Sequence, residues 1–331
     1  MKKKILTLAM AAAMTMNLAA CGSSGESFAS GGAAPAPSKK TYTVGICQLV
    51  QHPALDAATK GFRDALTKKL GSSVSFDEQN AANDSATCAA ICNGFVSGGV
   101  DLILANATSA LQAAAAATNS IPILGTSVTD YASALSIDHW TGTTGTNISG
   151  TSDLAPLDGQ ATMLNELFPK AKKVGILYCS GEPNSTYQVK TITPYFEKYG
   201  YAVKDYTFSD SNDVASVTAT ACGENDVLYV PTDNTAASCA DAINNVARPA
   251  GIPIVAGEEG ICSKCGVAAL SVNYYDLGYS TGEMAYKILV KGANPATMKI
   301  QYAPKFTREY NAGICSALNI KVPSGYTAIK N

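Results

Sequence analysis

Pairs of short polar side chains follow the apolar segments of this chain, and they are of two chemical kinds. In the first half of the sequence the pairs carry hydroxyl groups, at Thr108-Ser109 and Thr126-Ser127. In the second half the equivalent positions carry acidic side chains, at Asp233-Asn234 and Gly257-Glu258. Hydroxyls and helix N-termini suit an anion, whereas carboxylates suit a cation. A zwitterion such as an α-amino acid would satisfy both sets together.

Helix capping explains the same residues without any ligand. Ser, Thr, Asp and Asn are preferred at helix N-termini because their side-chain oxygens accept hydrogen bonds from the first backbone N–H groups. A capping residue can also contact a ligand, so the two interpretations overlap. Further candidate contacts lie in two other segments that end strands, and they are Gln48, His52, Pro53, Ala54, Leu55, Tyr178 and Asn184. Structural hydrogen bonds are an equal alternative for Gln48 and His52, and core packing is the favoured alternative for Tyr274 and Tyr275.

Metal binding and catalysis have little support in the sequence. Cys262 and Cys265 form a Cys-x-x-Cys pair, but a zinc site needs a second such pair or suitably spaced histidines. The sequence has ten cysteines and only two histidines, His52 and His139. It contains no nucleophile elbow, P-loop or His-Glu-x-x-His motif. We therefore expect no metal, no cofactor and no enzymatic activity, with most cysteines acting as small core residues.

The chain contains a weak internal repeat. Three short matches recur in the same order, each about 130 residues later: Val44-Gly45-Ile46 at Val174-Gly175-Ile176, Asp101–Leu104 at Asp226–Tyr229, and Ile121–Leu124 at Ile252–Val255. Matches in a constant order at a nearly constant offset indicate two similarly folded halves.

Each half alternates short apolar runs with amphipathic helical patterns. Strands are predicted at 43–48, 74–77, 101–105, 122–124, 174–178, 202–207, 227–230, 253–255 and 267–272. Helices are predicted at 53–70, 85–97, 109–119, 185–199, 213–220, 236–246 and 275–290. Apolar strands alternating with helices predict an α/β fold of two doubly wound parallel-sheet lobes joined by a hinge. Ligands of such sheets bind outside the carboxyl ends of the strands, which predicts a site in the cleft between the lobes.

The N-terminal segment has the features of an export signal. Lys2–Lys4 precede an apolar run, Ile5–Ala20, which predicts a signal peptide at residues 1–20. The ending Leu18-Ala19-Ala20-Cys21 resembles the lipobox of bacterial lipoproteins, in which the cysteine is acylated. The alternative is an ordinary signal peptide with a chance cysteine. Residues 21–40 then form a lipidated Cys21 and a flexible Gly-, Ser- and Pro-rich tether. The expected location is the extracytoplasmic face of the cell membrane, held by the lipid anchor.

Charge excludes one class of partner. The formal net charge is −2 and only 15% of the residues are charged. Because no basic surplus is available to neutralise a phosphate backbone, we expect no nucleic-acid binding.

Several motifs resemble the tryptophan/tyrosine-type ABC transporter substrate-binding lipoproteins. They are Gly45–Asp56, Gly125–Asp130, Gly145–Asp153, Tyr229–Asn234, Tyr274–Gly278 and Ala317–Pro323. The resemblance covers nearly all of residues 41–331 and implies a type I periplasmic-binding-protein fold with three crossovers between the lobes. It also implies an aromatic amino acid (Tyr, Trp or Phe) as ligand, an ABC permease and ATPase as partners, and a monomer. The Cys262/Cys265 pair and the sequence Gly150-Thr151-Ser152 depart from the family pattern.

The implied fold sets expected domain boundaries. The N-terminal lobe is expected to contain residues 41–151 plus 267–302, and the C-terminal lobe residues 152–266 plus 303–331. The linking segments would form the hinge, with the first crossing at Gly142–Gly150.

Within this frame we assign a role to each part of the ligand. Its carboxylate is expected near Thr108-Ser109 and Thr126-Ser127, and its ammonium at Asp233, with Glu258 or Asp153 as second choice. Its side chain is expected against residues 48–55 and Tyr178. The alternatives are a sugar or nucleoside as ligand, a role as surface adhesin or sensor, and an enzyme on the same architecture.

Overall fold

Two β-sheets form the frame of the protein. The computed structural model describes residues 40–330. The predicted signal peptide, Cys21 and nearly all of the predicted tether therefore lie outside the described residues. In the described part of the chain, no helix is both long enough and apolar enough to cross a membrane.

The first sheet is entirely parallel and has six strands. Its spatial order is β11-β5-β4-β3-β1-β2, with β1 Tyr42–Gln48, β2 Val74–Asn80, β3 Leu102–Asn106, β4 Ile123–Val128, β5 Ile148–Ser152 and β11 Gln301–Tyr302. Its helices are α1 Pro53–Leu70, α2 Ser85–Gly98, α3 Thr108–Ala117, α4 Tyr131–Ala134 and α11 Tyr274–Lys291, with short 3-10 turns at Gly71–Ser73 and Pro295–Thr297.

The second sheet has seven strands and one antiparallel pair. Its order is β13-β12-β10-β9-β8-β6-β7, with β6 Lys173–Cys179, β7 Ala202–Phe208, β8 Val227–Val230, β9 Ile254–Ala256, β10 Ala268–Ser271, β12 Thr307–Tyr310 and β13 Thr327–Ala328. Strand β12 runs antiparallel to β10. The accompanying helices are α5 Leu157–Leu167, α6 Pro183–Lys198, α7 Val214–Glu224, α8 Asn234–Ser238, α9 Ala240–Ala247, α10 Glu259–Lys264 and α12 Ala312–Ala317.

Helices cover both faces of the first sheet, which explains its continuous apolar strands. In β3, Leu102 and Leu104 belong to one buried cluster with Phe62 of α1. The alternate residue Ile103 belongs to a second cluster with Phe95 of α2. Successive strand side chains point to opposite faces, so both faces of β3 are buried. The predicted fold class, two α/β lobes built on parallel sheets, is confirmed.

One predicted strand lies in the other sheet. The segment Val267–Val272 was expected in the N-terminal lobe, but β10 pairs with β9 and with β12 of the second sheet. The crossing back to the first lobe therefore follows β10 instead of preceding it. An apolar run shows that a strand is buried but does not show which neighbour it pairs with, and here it pairs with the strand that precedes it in sequence. The helix predicted at 236–246 is also divided, at Cys239, into α8 and α9.

Glycines allow α1 and α11 to pack closely. A Cβ atom on Gly278 would overlap the backbone carbonyl oxygen of Ala58, and one on Gly61 would overlap that of Tyr275. A Cβ on Gly282 would approach the Ala65 Cβ to 2.6 Å. Glycine at these positions therefore lets α11 pack directly against α1 within the first lobe.

We expect Gly278→Ala to lower the free energy of unfolding by about 1–3 kcal/mol, because the backbone atoms it would meet cannot move aside cheaply. Gly94 in α2 is the matched control, since a Cβ there has no neighbour within 4 Å. Gly94→Ala should raise stability by about 0.5–1 kcal/mol through helix propensity. Thermal unfolding followed by circular dichroism measures both, and equal melting temperatures for the two variants would contradict the close helix contact.

Candidate functional site

A small enclosed cavity lies where residues of both lobes meet. Its lining comes from the first lobe, the second lobe and the crossing segments, and comprises His52, Leu55, Ser127, Thr129, Asp153, Asn184, Thr232, Asp233, Asn234, Ala237, Glu258 and Tyr274. Most of these residues follow the carboxyl ends of parallel strands, where ligands of open α/β sheets bind. The cavity volume is about 10 Å³, which is room for about one water molecule. The lobes are therefore closed on each other.

Asp233 is fully buried and already holds three donors. One carboxylate oxygen accepts from the backbone N–H of Cys179 at 2.8 Å and the Ser185 hydroxyl at 2.6 Å. The other accepts from the Ala236 N–H at 2.7 Å and caps α8. Burial and the nearby Glu182 carboxylate nevertheless raise the pKa of Asp233 to about 8. A cation beside Asp233 would reverse that shift.

Two more buried carboxyl groups line the cavity. Asp153 accepts from the Thr129 hydroxyl at 3.2 Å and the Tyr274 hydroxyl at 2.9 Å. Glu258 accepts from the backbone N–H groups of Gly260 and Ile261 and so caps α10. Burial raises the pKa of Asp153 to about 6 and that of Glu258 to about 7. The lining contains no lysine or arginine to balance these three acids.

Several buried polar atoms at the cavity have no hydrogen-bond partner. Among residues 40–330, five buried side-chain polar atoms are unpaired, and three belong to cavity residues: His52 Nδ1, Ser127 Oγ and Asn184 Oδ1. The Ser127 backbone also has φ of +53°, a left-handed conformation that is uncommon for serine. An unpaired buried polar group costs about 1–3 kcal/mol. A ligand that supplied the missing partners would recover that cost.

The structure brings together about half of the residues predicted from sequence. Those that line the cavity are His52, Leu55, Ser127, Asp153, Asn184, Asp233, Asn234 and Glu258. Those that do not are Gln48, Pro53, Ala54, Thr108, Ser109, Thr126 and Tyr178. Pro53 and Ala54 border an adjacent groove, which shares Glu258 and Tyr274 with the cavity. Thr108 and Ser109 begin α3.

Side-chain direction and local hydrogen bonds explain the residues that stay outside the cavity. Thr126 precedes Ser127 in β4, so it points the other way, and its hydroxyl contacts that of Thr151 at 3.2 Å. The Gln48 amide is used locally, donating to Asp56 at 2.7 Å. The Tyr178 hydroxyl donates to Asp205 at 3.4 Å. These residues were correctly placed near strand ends, but their side chains have partners elsewhere.

Thr129, Thr232 and Ala237 line the cavity and were not among the predicted contacts. Thr129 lies two residues after Ser127, and Thr232 directly precedes Asp233. Proximity to predicted contacts was therefore the available signal for both. Tyr274 reaches the cavity, where its hydroxyl donates to Asp153. Its position therefore agrees with a candidate ligand contact, which was less favoured from sequence than core packing.

Comparison with known proteins identifies the family. A family model described as ABC transporter substrate binding protein matches residues 43–327. The chain is 40% identical over 291 residues to a tyrosine-binding protein of Clostridioides difficile (strain R20291), covering 87% of this chain and 84% of that protein.

Two solved structures show related arrangements of the lobes. An ABC domain from Streptococcus pneumoniae in complex with L-Trp matches with a TM-score of 0.83 at 30% identity, covering 88% of this chain and 100% of the other. A ligand-free, open substrate-binding protein with adhesive properties from Clostridium difficile matches with a TM-score of 0.67 at 39% identity, covering 88% and 99%. The ligand-bound structure is the better match despite its lower identity, which agrees with the closed cavity.

These matches confirm the type I periplasmic-binding-protein fold that the motifs implied. The family consists of binding proteins and not of enzymes, in agreement with the expectation from sequence. The chain belongs to the ABC transporter substrate-binding proteins.

Proposed function

We propose that this protein captures an aromatic L-amino acid, tyrosine, tryptophan or phenylalanine, in the cavity between its lobes and delivers it to an ABC permease and ATPase. The observation that carries the proposal is the set of three buried carboxyl groups with no cation beside them in the cavity lining. An ammonium group is the natural partner for such a set. The tyrosine-binding relative and the L-Trp complex support the choice of an aromatic amino acid.

The carboxylate of the ligand would be bound by a hydroxyl group. The unpaired Ser127 hydroxyl lines the cavity and can donate to a carboxylate. Tyr274 provides an aromatic surface at the same cavity. The ammonium is assigned to Asp233, with Glu258 and Asp153 as the second choice. Each charge that closure buries would then meet a partner, which buried charges require.

Opening and reclosing of the lobes is part of the proposed function. A cavity of about 10 Å³ cannot hold an aromatic amino acid. The ligand must therefore enter an open form, and the lobes must close around it less completely than in this structure. The crossings that follow β5, β10 and β11 are the segments that can bend.

A thermal-shift screen of the twenty amino acids, common sugars and nucleosides tests the proposal. A ligand at 100 times its dissociation constant stabilises the folded state by about 2.7 kcal/mol. We expect a shift from at least one of the three aromatic amino acids. A shift from a sugar or nucleoside, with none from an aromatic amino acid, would contradict the assigned ligand and leave the family assignment intact.

A surface adhesion role is the second candidate function. It is favoured by one observation, the adhesive properties of the related Clostridium difficile substrate-binding protein. Attachment of the purified protein to host cells, with and without saturating L-tyrosine, would separate adhesion from ligand capture.

We propose in addition that Cys21 carries a lipid that anchors the monomeric protein to the extracytoplasmic face of the membrane. Support comes from the Leu18–Cys21 sequence after an apolar segment. Cys21→Ala is expected to move the protein from the membrane to the soluble fraction, because acyl chains supply about 0.8 kcal/mol of membrane affinity per buried methylene. Cell fractionation with immunoblotting measures the shift.

Cys239→Ala serves as the control for the anchor, since Cys239 is a partly exposed cysteine of the second lobe. It should leave the protein in the membrane fraction. Retention of Cys21→Ala in the membrane would refute the anchor.

A further inference from the structure

Glu182 is a buried carboxylate that lies beside the cavity residues without lining the cavity itself. It precedes α6 and is only 4% exposed. One of its oxygens accepts from the backbone N–H and the hydroxyl of Thr235, both at 2.7 Å. The other accepts from the Asn234 N–H at 3.0 Å, the Asn234 Nδ2 at 2.8 Å and the Asn184 Nδ2 at 2.9 Å. Five donors from three residues therefore meet on one carboxylate.

The bond from Asn234 to Glu182 determines the protonation of His52. A carboxylate only accepts hydrogen bonds, so the Asn234 amide must turn its NH₂ group toward Glu182. Its Oδ1 atom is then the one that faces His52 Nε2, at 3.2 Å. Because Oδ1 is an acceptor, Nε2 must carry the proton. Burial lowers the pKa of His52, and a neutral imidazole protonated at Nε2 leaves Nδ1 as an acceptor.

The same carboxylate fixes the Asn184 side chain. Asn184 Nδ2 contacts Glu182 and also the backbone carbonyl oxygen of Thr232 at 3.1 Å, and both of these atoms only accept. The orientation of the amide is thus set twice, and Oδ1 is left without a partner. Two of the three unpaired atoms at the cavity, His52 Nδ1 and Asn184 Oδ1, are therefore acceptors as a consequence of Glu182.

Contacts between the lobes depend on Glu182 as well. The Thr235 hydroxyl donates to Glu182, so its lone pairs are free to accept from Asn83 Nδ2 of the first lobe at 2.9 Å. The His52–Asn234 bond also joins the two lobes. These two side-chain bonds across the cleft take their direction from the same buried carboxylate.

We propose that Glu182 is a positioning residue that sets the hydrogen-bond direction of the site, so that the cavity presents acceptors and selects a ligand group rich in N–H donors, a primary ammonium. The inference rests on the proposed function only in placing the ligand between the lobes. Glu182 acts through Asn234, Asn184 and Thr235. The three cavity carboxyl groups add acceptors of the same kind.

The first test reads the His52 tautomer directly and needs no assumption about the ligand. The sequence has only two histidines, and His139 is exposed, so ¹⁵N-histidine labelling gives two imidazole signal sets, assigned with His139→Gln. Spectra are recorded between about pH 6 and 8, without ligand and with saturating L-tyrosine. We expect a neutral His52 with protonated Nε2 and bare Nδ1. A His52 with protonated Nδ1 in both samples would overturn the proposal, whether or not tyrosine binds.

The second test compares two analogues of tyrosine, each of which keeps only one of its two charged groups. Tyramine keeps the ammonium, whereas 3-(4-hydroxyphenyl)propanoate keeps only the carboxylate. We expect tyramine to compete with L-tyrosine and the propanoate to compete at least about tenfold more weakly. Equal competition by the two analogues would overturn the proposed selectivity while leaving amino-acid binding intact.

Glu182→Gln is expected to weaken L-tyrosine binding by about 10- to 100-fold. It should also narrow the difference in affinity between tyramine and the propanoate. A glutamine must place an NH₂ group against other donors, which frees Asn234 to turn. Glu197→Gln, on the exposed face of the same helix α6, is the matched control and should retain wild-type affinity. An affinity loss in Glu182→Gln with the analogue preference unchanged would show that Glu182 acts only on stability and would overturn the proposed role.

Discussion

Asp233→Ala is expected to weaken binding of L-tyrosine by about 30- to 1000-fold or more, measured by isothermal titration calorimetry. Removing one partner of a buried charge pair costs about 2–5 kcal/mol, and each 1.4 kcal/mol is tenfold in affinity. The truncation also strips acceptors from the Cys179 N–H, the Ser185 hydroxyl and the Ala236 N–H. The melting temperature of the variant should therefore fall as well.

A second buried cap separates loss of binding from loss of stability. Asn311 caps α12 through the Ile314 N–H and donates to the carbonyl oxygens of Cys262 and Ser263. It lies in the second lobe outside the cavity lining. Asn311→Ala should lower stability but keep the affinity for L-tyrosine. If both variants kept wild-type affinity, the assignment of the ammonium to Asp233 would be wrong.

Affinity for the amino acid is expected to rise with pH between about 6 and 8. With the lobes closed, burial raises the pKa of Asp153 to about 6, of Glu258 to about 7 and of Asp233 to about 8. An ammonium beside these groups would lower their pKa values, so binding releases protons. Each proton released increases affinity by up to about tenfold per pH unit. Calorimetry in buffers of different ionisation enthalpy counts the protons.

The stability of the protein without ligand should fall as pH rises, whereas the affinity should increase. A carboxyl group whose pKa is higher folded than unfolded binds more protons in the native state. The free energy of unfolding therefore falls as pH rises from about 4 to about 8, and ligand offsets the loss at the upper end. Glu309 is the control for the affinity trend, because its pKa is also raised to about 7 by burial but it does not line the cavity.

Glu258→Gln should reduce the pH slope of affinity, and Glu309→Gln should leave that slope unchanged. A flat affinity profile in the wild-type protein would mean that the cavity carboxyl groups are already ionised before the ligand arrives.

Local patterns in the sequence predicted the positions of helices and strands better than they predicted which strands pair. Pro53 marks the first residue of α1, because proline suits the first turn, where its missing N–H costs nothing. The apolar run at 267–272 is a strand, as predicted, but it lies in the second sheet. Burial on both faces is visible in composition, whereas the choice of neighbouring strand depends on contacts distant in sequence.

The candidate site shows the same limit at the level of side chains. Strand ends identified Ser127, Asp233 and Glu258 as neighbours, and all three line one cavity. Glu182 was not singled out, although it lies in one of the strand-end segments. Its importance comes from five donors, four of which belong to residues more than fifty positions away. Such convergence has no local pattern.

The distance along the chain between α1 and α11 affects how the protein is made. The Tyr275 hydroxyl contacts Asp64 across 211 residues, and Phe62 shares its buried cluster with Met284. At about 5–20 residues per second, a ribosome needs roughly 10 to 40 seconds to produce the chain between them. During that interval α1 can pack on the strands of the first sheet, but its surface around Gly61 lacks the contact with α11. Most of the second lobe is made in the same interval. The lobe begun first is thus finished late, and chaperone contacts with the nascent chain are expected to concentrate on residues 53–70.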